Sequence, residues 1–166
     1  MKQFPLLVFD WDGTLVDSIE RIVTSLQHAS RQVIKAEISK SRAKNVIGLG
    51  LMEAIAQLHP ELDEKHQSGI LENIANAYRR HYIYDNPVPA PLFSGVNDLL
   101  DELNHQGYIL AISTGKSRSH LKQSIEEHDV ARHFATNHCA GENRSKPHPE
   151  MLHEILGELN FSADEA

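Results

Sequence analysis

Four apolar residues in a row, Leu6-Leu7-Val8-Phe9, break off into Asp10-Trp11-Asp12-Gly13. A short apolar run bounded by a turn predicts a buried strand with polar groups at its C-terminal end. The period then changes to a helical one. Asp17-Ser18-Ile19-Glu20 has the form of a capping box, and Ile19, Ile22, Val23, Leu26 and Val33 continue at helical spacing to about residue 34. Further helices are predicted over about 39–47, stopping at Gly48-Leu49-Gly50, from Leu51 to Leu58, ending near Pro60, and from Ile70 to about Tyr82. No strand pattern interrupts this region. Pro87, Pro89 and Pro91 at alternating positions then force extended backbone, which marks Asp85–Pro91 as a hinge.

The next stretch reads as helix, strand, helix, strand, helix. Ser94 is placed as an N-cap, Val96, Leu99, Leu100 and Leu103 form the apolar stripe, and Gly107 suits a left-handed cap. Tyr108–Ile112 is a buried strand leading into Ser113-Thr114-Gly115-Lys116; a helix from Ser117 turns Leu121 and Ile125 inward. Phe134–Ala140 gives a short third strand, and Met151, Leu152, Ile155, Leu156 and Leu159 mark a last helix. Strands alternating with helices predict an α/β fold: a Rossmann-like core with parallel strands and right-handed crossovers. Residues 1–16 and 89–166 supply that core and 17–88 an inserted helical block. Because the first crossing lies beside Asp10 and Asp12, the block is expected to hang over them as a lid.

Composition narrows the class without naming a chemistry. The chain has 166 residues, 40% of them hydrophobic, and a net charge of −7 with no Lys/Arg run, which argues against a nucleic-acid surface. Arg79-Arg80 reads as a solvated helix face. One cysteine, Cys139, makes no internal disulfide and suits a reducing compartment as a small core residue. No signal peptide is evident, and no apolar run approaches the ~18 residues that span a membrane. The expectation is a cytoplasmic protein with no membrane partner, a monomer or weak dimer. None of the eleven histidines forms an H-x-x-x-H pair, and the spacings His133/His138 and His148/His153 leave one helical face, so all read as solvated or capping.

The chemistry lies where the first strand ends. Side chains alternate along extended backbone, so Asp10 and Asp12 fall together with Trp11 on the opposite side. Gly13 lets the chain turn and the Thr14 hydroxyl is placed to fix that turn. Two carboxylates this close repel and raise one pKa unless a cation sits between them. With a hard ion such as Mg²⁺, one stays an unprotonated nucleophile while the other handles protons. Asp-Gly alone is an ordinary turn pair. The full string Phe-Asp-x-Asp-Gly-Thr-Leu-Val-Asp-Ser resembles the first signature of the haloacid dehalogenase-like hydrolases, and the second acid resembles the phosphatase branch.

That resemblance assigns roles residue by residue. Asp10 attacks phosphorus to give an aspartyl-phosphate, Asp12 is general acid and base, both hold Mg²⁺, Asp12 through its carbonyl, and Gly13 lies in the same phosphoryl-binding loop. Ser113-Thr114-Gly115-Lys116 is a strand-to-helix turn of the kind that cradles phosphate. It resembles the second signature, so Thr114 and Gly115 bind the transferring phosphoryl group. Lys146-Pro147-His148-Pro149 resembles the third, where Lys146 neutralises the nucleophile and the phosphoryl oxygens. The helical block resembles the cap of the superfamily's first class, with Gly48 in a loop near substrate. A fourth signature, an apolar strand ending in Gly-Asp, has no counterpart before Ala166. The expectation is therefore a truncated form, weak or dead as a catalyst, with β-edge residues Leu7 and Phe9 flanking an open side. The activity implied is Mg²⁺-dependent hydrolysis of a small phosphorylated metabolite, phosphoglycolate-like. The alternatives are a sugar-phosphate mutase of the same superfamily and a non-catalytic fragment that only binds ligand.

Overall fold

A computed structural model describes residues 3–62 and 64–166, with backbone alone over 64–68. Strand β1 (Leu6–Phe9) pairs in parallel with β2 (Ile109–Thr114), and β2 with β3 (Thr136–Cys139), giving the order β1-β2-β3. Leu110, Ala111 and Ile112 are fully buried, as continuous apolar runs of parallel strands require. Phe9 stands opposite Ile112 and Thr114 opposite Cys139. The register thus carries Asp10 and Thr114 to the same end of the sheet. β3 is shorter than the predicted Phe134–Ala140: a turn at Ala131–His133 precedes it, and Phe134 meets Trp11 edge to face at 6.4 Å. Among the described residues β1 has a strand neighbour on the β2 side alone, with Leu7 and Phe9 half-buried.

Helices α5 (Val96–His105), α6 (Arg118–Glu127) and α7 (Glu150–Leu159) cover the sheet. Trp11, Leu100, Leu110, Ile112 and Leu121 make one core cluster, and Leu6, Ala111 and Ile155 a second. The cap of α5 differs from expectation. Gly95, at φ +83°, is its N-cap instead of Ser94, and Leu99 is 47% exposed, so the stripe narrows to Val96, Leu100 and Leu103. Gly107 behaves as predicted: at φ +76° it donates to the Asn104 carbonyl at 2.8 Å while Tyr108 N–H reaches Leu103 at 3.0 Å. Cys139 is fully buried, and desolvation pushes its thiol up to about 11, leaving it inert.

Four helices separate β1 from α5: α1 (Ile19–Ile34), α2 (Lys40–Lys44), α3 (Leu51–Leu58) and α4 (Glu64–Arg80). They bury a cluster of their own, including Val23, Leu26, Ile55, Leu71 and Ile74. α4 ends in a wide π turn, His81–Asp85. Buried Asn86 then ties the hinge to α1, its Nδ2 within 3.0 Å of the Arg21 carbonyl and 2.9 Å of Ser25 Oγ. The two chain crossings run side by side: Asp17 N–H donates to the Pro91 carbonyl at 2.8 Å and Phe93 N–H to Leu15 at 3.0 Å. The predicted capping box is absent. Ser18 is the N-cap of α1, and its side chain does not cap the helix because its hydroxyl is used elsewhere.

Two histidines overturn the solvated reading. His59 is 2% exposed, its ring nitrogens on Ser30 Oγ at 2.8 Å and Glu61 Oε1 at 3.1 Å. His133 is 4% exposed; Asn104 Nδ2 lies 3.0 Å from Nδ1, and Nε2 has no hydrogen-bond partner among the described residues. Burial, then the Arg132 charge, holds His133 below the ordinary value of 6.5. As pH falls through that value the unfolded chain takes the proton before the folded chain does, so stability drops on acidification. His133→Asn keeps an acceptor for Asn104 and should shrink the fall in Tm between about pH 7 and pH 5.5, measured by calorimetry.

Candidate active site

Trp11 organises the end of β1. Its ring is fully buried and its Nε1 donates to Ser124 Oγ at 3.1 Å, so the flanking carboxylates emerge on the other side. The following turn is fixed by main chain: the Trp11 carbonyl accepts from Leu15 and Val16 N–H at 3.0 and 3.1 Å, and Gly13 N–H donates to Val16 at 2.8 Å. Gly13 has φ +81°, a conformation that L side chains rarely adopt. Thr14 is exposed and makes no side-chain hydrogen bond among the described residues, contrary to its expected role.

A cavity of about 310 Å³ lies between this turn and the helical block. Asp10, Asp12, Thr114, Gly115 and Gly48 all line it. Lys146 is not among the lining residues; its Nζ reaches Asp10 Oδ1 at 2.9 Å and the Ser113 carbonyl at 2.8 Å. Gly13 also lies outside the lining, in the turn itself. Thr114 Oγ1 accepts the Lys116 N–H at 3.1 Å, which fixes the rotamer and leaves its own proton to donate. Ser113 is turned the other way, Oγ to Met151 Sδ at 3.9 Å.

Three residues absent from the sequence-based site surround Asp12. Lys116 Nζ lies 3.0 Å from both its oxygens, and Ser18 Oγ donates to Oδ1 at 2.7 Å. Tyr82, at the end of α4, holds Lys116 from above, hydroxyl at 3.4 Å and ring centroid at 4.9 Å. Arg21 locks Tyr82 in turn, with Nε and Nη2 at 3.0 and 2.7 Å from its carbonyl. Burial alone would push the Lys116 ammonium down, but the Asp12 charge and the hydrogen bonds to Asp12 and Tyr82 keep it above its ordinary range. Burial, with Lys116 and Arg79 nearby, holds the His120 imidazole on the cavity wall below its ordinary value. The sequence placed Lys116 in the right loop; nothing local told that Tyr82 would converge on it or Ser18 on Asp12.

Gly115 is required for space. A Cβ built there would stand 2.3 Å from the Leu49 carbonyl oxygen and 2.5 Å from that of Gly48. Main-chain atoms cannot swing aside as a side chain can, so Gly115→Ala should force the loop of the helical block off the cavity. We expect kcat/KM to fall about 10²-fold, the cost of a misplacement near 1 Å, with far-UV circular dichroism unchanged.

The donors suit a hard cation. No group of three or more His, Cys, Asp or Glu side chains gathers at a metal-binding distance among the described residues. Asp10 and Asp12 nevertheless offer oxygens on the cavity wall, and Mg²⁺ is commonly held by one or two carboxylates with waters and substrate oxygens completing its shell.

No helix among the described residues is long and apolar enough to cross a membrane. The phosphoglycolate phosphatase of Vibrio cholerae is 27% identical over 174 residues, spanning 99% of this chain and 75% of that protein. A 5′-nucleotidase of Pseudomonas aeruginosa is 29% identical, over 98% of this chain and 72% of its own. A crystal structure described as a predicted phosphoglycolate phosphatase from Haemophilus somnus superimposes with a TM-score of 0.82 at 24% identity, covering 99% of this chain and 76% of that one, a likeness of fold. A sequence model described as Haloacid dehalogenase-like hydrolase matches residues 7–166, and the chain belongs to that family.

Proposed function

We propose that this chain is a phosphatase that hydrolyses a small phosphate monoester through an aspartyl-phosphate at Asp10. The observation that carries the reading is the meeting of Asp10, Asp12 and Thr114 on one cavity wall with the Lys146 ammonium 2.9 Å from Asp10 Oδ1. The Asp10 carboxylate is the nucleophile, and the Lys146 ammonium on its Oδ1 holds it in place for attack. An Asp10 oxygen forms the bond to phosphorus as the bond to the ester oxygen breaks, and the departing alkoxide takes its proton from Asp12. Asp12, now a carboxylate, has Lys116 and Ser18 as partners. It then accepts a proton from water, whose oxygen attacks phosphorus and frees Asp10 and inorganic phosphate. The Thr114 hydroxyl donates to a phosphoryl oxygen, and Lys146 offsets the negative charge gathering around phosphorus.

Mg²⁺, held by Asp10 and Asp12, would supply further charge neutralisation at the phosphoryl oxygens. The activities of the phosphatase and nucleotidase relatives make phosphoglycolate the first substrate to offer, with nucleoside and sugar monophosphates beside it. The test is phosphate release across that panel, with Mg²⁺ and with chelator. Release that needs the metal and no bisphosphate activator supports the reading. Dependence on a bisphosphate points to a mutase, and Mg²⁺-dependent thermal protection without release points to a binding fragment.

A further inference from the structure

The loop that precedes α3 is gripped from both sides by the loops that flank Asp10. On one side the Gly48 and Leu49 carbonyls press against Gly115, close enough to leave no room for a Cβ. On the other, the Gly50 N–H donates to Ser145 Oγ at 2.6 Å. Gly50 is the N-cap residue of α3, is buried, and has no side chain of its own to cap with. A buried N–H at a helix start needs an acceptor. α2 finds one within its own segment, the Ser39 hydroxyl, whereas α3 takes its acceptor from the sheet side of the molecule. The residue that supplies it adjoins Lys146, whose ammonium bridges Asp10 and the Ser113 carbonyl.

We infer that Ser145 is a positioning residue, through which seating of the helical block over the cavity orders the Lys146 backbone and so the ammonium beside Asp10. The inference rests on the phosphatase reading and adds a coupling to it. When the Gly48–Gly50 loop lifts, the Ser145 hydroxyl loses Gly50 and the segment carrying Lys146 is free to relax. When the loop seats, the 2.6 Å hydrogen bond fixes that segment one residue from the cation. Full charge compensation at Asp10 is then present only when the cavity is covered and water is excluded from it.

Ser145→Ala and Ser145→Thr in the same chain test this with two readouts. Amide hydrogen exchange at Gly50, which needs no turnover, should quicken about ten-fold in Ser145→Ala and stay slow in Ser145→Thr, as expected for one hydrogen bond lost or kept. In steady-state hydrolysis of a monoester that the wild type turns over, kcat should fall about ten-fold in Ser145→Ala with KM moving less than about two-fold, and Ser145→Thr should restore it. An unchanged Gly50 exchange rate, or equal loss of kcat in both variants, overturns the coupling. Wild-type turnover with undiminished Ser145→Ala turnover overturns it alone. No phosphate release by the wild type from any monoester overturns the phosphatase reading and the inference together.

Discussion

Asparagine in place of Asp10 abolishes phosphate release, lowering kcat by at least about 10⁴-fold, because a neutral amide oxygen is a poor nucleophile towards phosphorus. The substitution is nearly isosteric. Its Oδ1 still accepts from Lys146 Nζ, now 2.9 Å from the carboxylate, so thermal unfolding should change little. Steady-state phosphate release checks the loss, and a melting curve shows that the loss is chemical. Asparagine at Asp12 should cost less, about 10²–10⁴-fold, the usual worth of one acid-base group. Its effect should also grow as the leaving group becomes more basic and needs its proton more.

Methionine in place of Lys146 is the second large effect, about 10²–10³-fold in kcat, comparable to losing one preorganised donor of an oxyanion site. The ammonium makes two contacts, Asp10 Oδ1 at 2.9 Å and the Ser113 carbonyl at 2.8 Å, and both partners lose it. Asp10 must then approach a phosphoryl group that already carries negative charge without the ammonium beside it. Lys146 and Asp10 side chains are each 29% exposed, so solvent screens part of this and the lower half of the range is expected. The loss should appear mainly in kcat, because the charge that Lys146 offsets is greatest in the transition state. Comparing kcat and KM of Lys146→Met with wild type on one monoester checks the split.

The sequence was most informative where chemistry and fold share one short stretch. The abrupt end of Leu6–Phe9 marked both the strand and the two acids, and alternation alone sent Trp11 inward and Asp10 outward. Gly107 was legible because a left-handed helix end is a local requirement. Asp17 and Ser94 were misread as caps for a shared reason: a short polar side chain before a helix has the right chemistry to cap it, but the backbone and more distant partners decide, and Ser18 and Gly95 hold the two cap positions. The Ser18 hydroxyl went to Asp12, and Gly95 took the cap position at φ +83°. Leu99 fits the helical period yet stays exposed, outside the core cluster that Val96, Leu100 and Leu103 join.

Long-range convergence was the least legible. Lys116, Tyr82 and Arg21 come from the loop after β2, the end of α4 and α1, and their ladder onto Asp12 exists only once those elements pack. The grip of Gly115 and Ser145 on the Gly48–Gly50 loop is of the same kind, because a need for close approach leaves no mark on periodicity or composition. Burial of His59 and His133 was missed because histidine suits either surface or core, and only its partners, Ser30 and Asn104, distinguish them.

Rapid quenching of the protein during turnover of a monoester, followed by borohydride reduction and peptide mass spectrometry, tests the central claim most directly. Reduction of an acyl phosphate converts the aspartyl residue that carried it to homoserine. The account predicts homoserine at residue 10, dependent on substrate and absent from Asp10→Asn. Phosphate release with residue 10 unmodified, or with the reduced residue elsewhere in the chain, would contradict it.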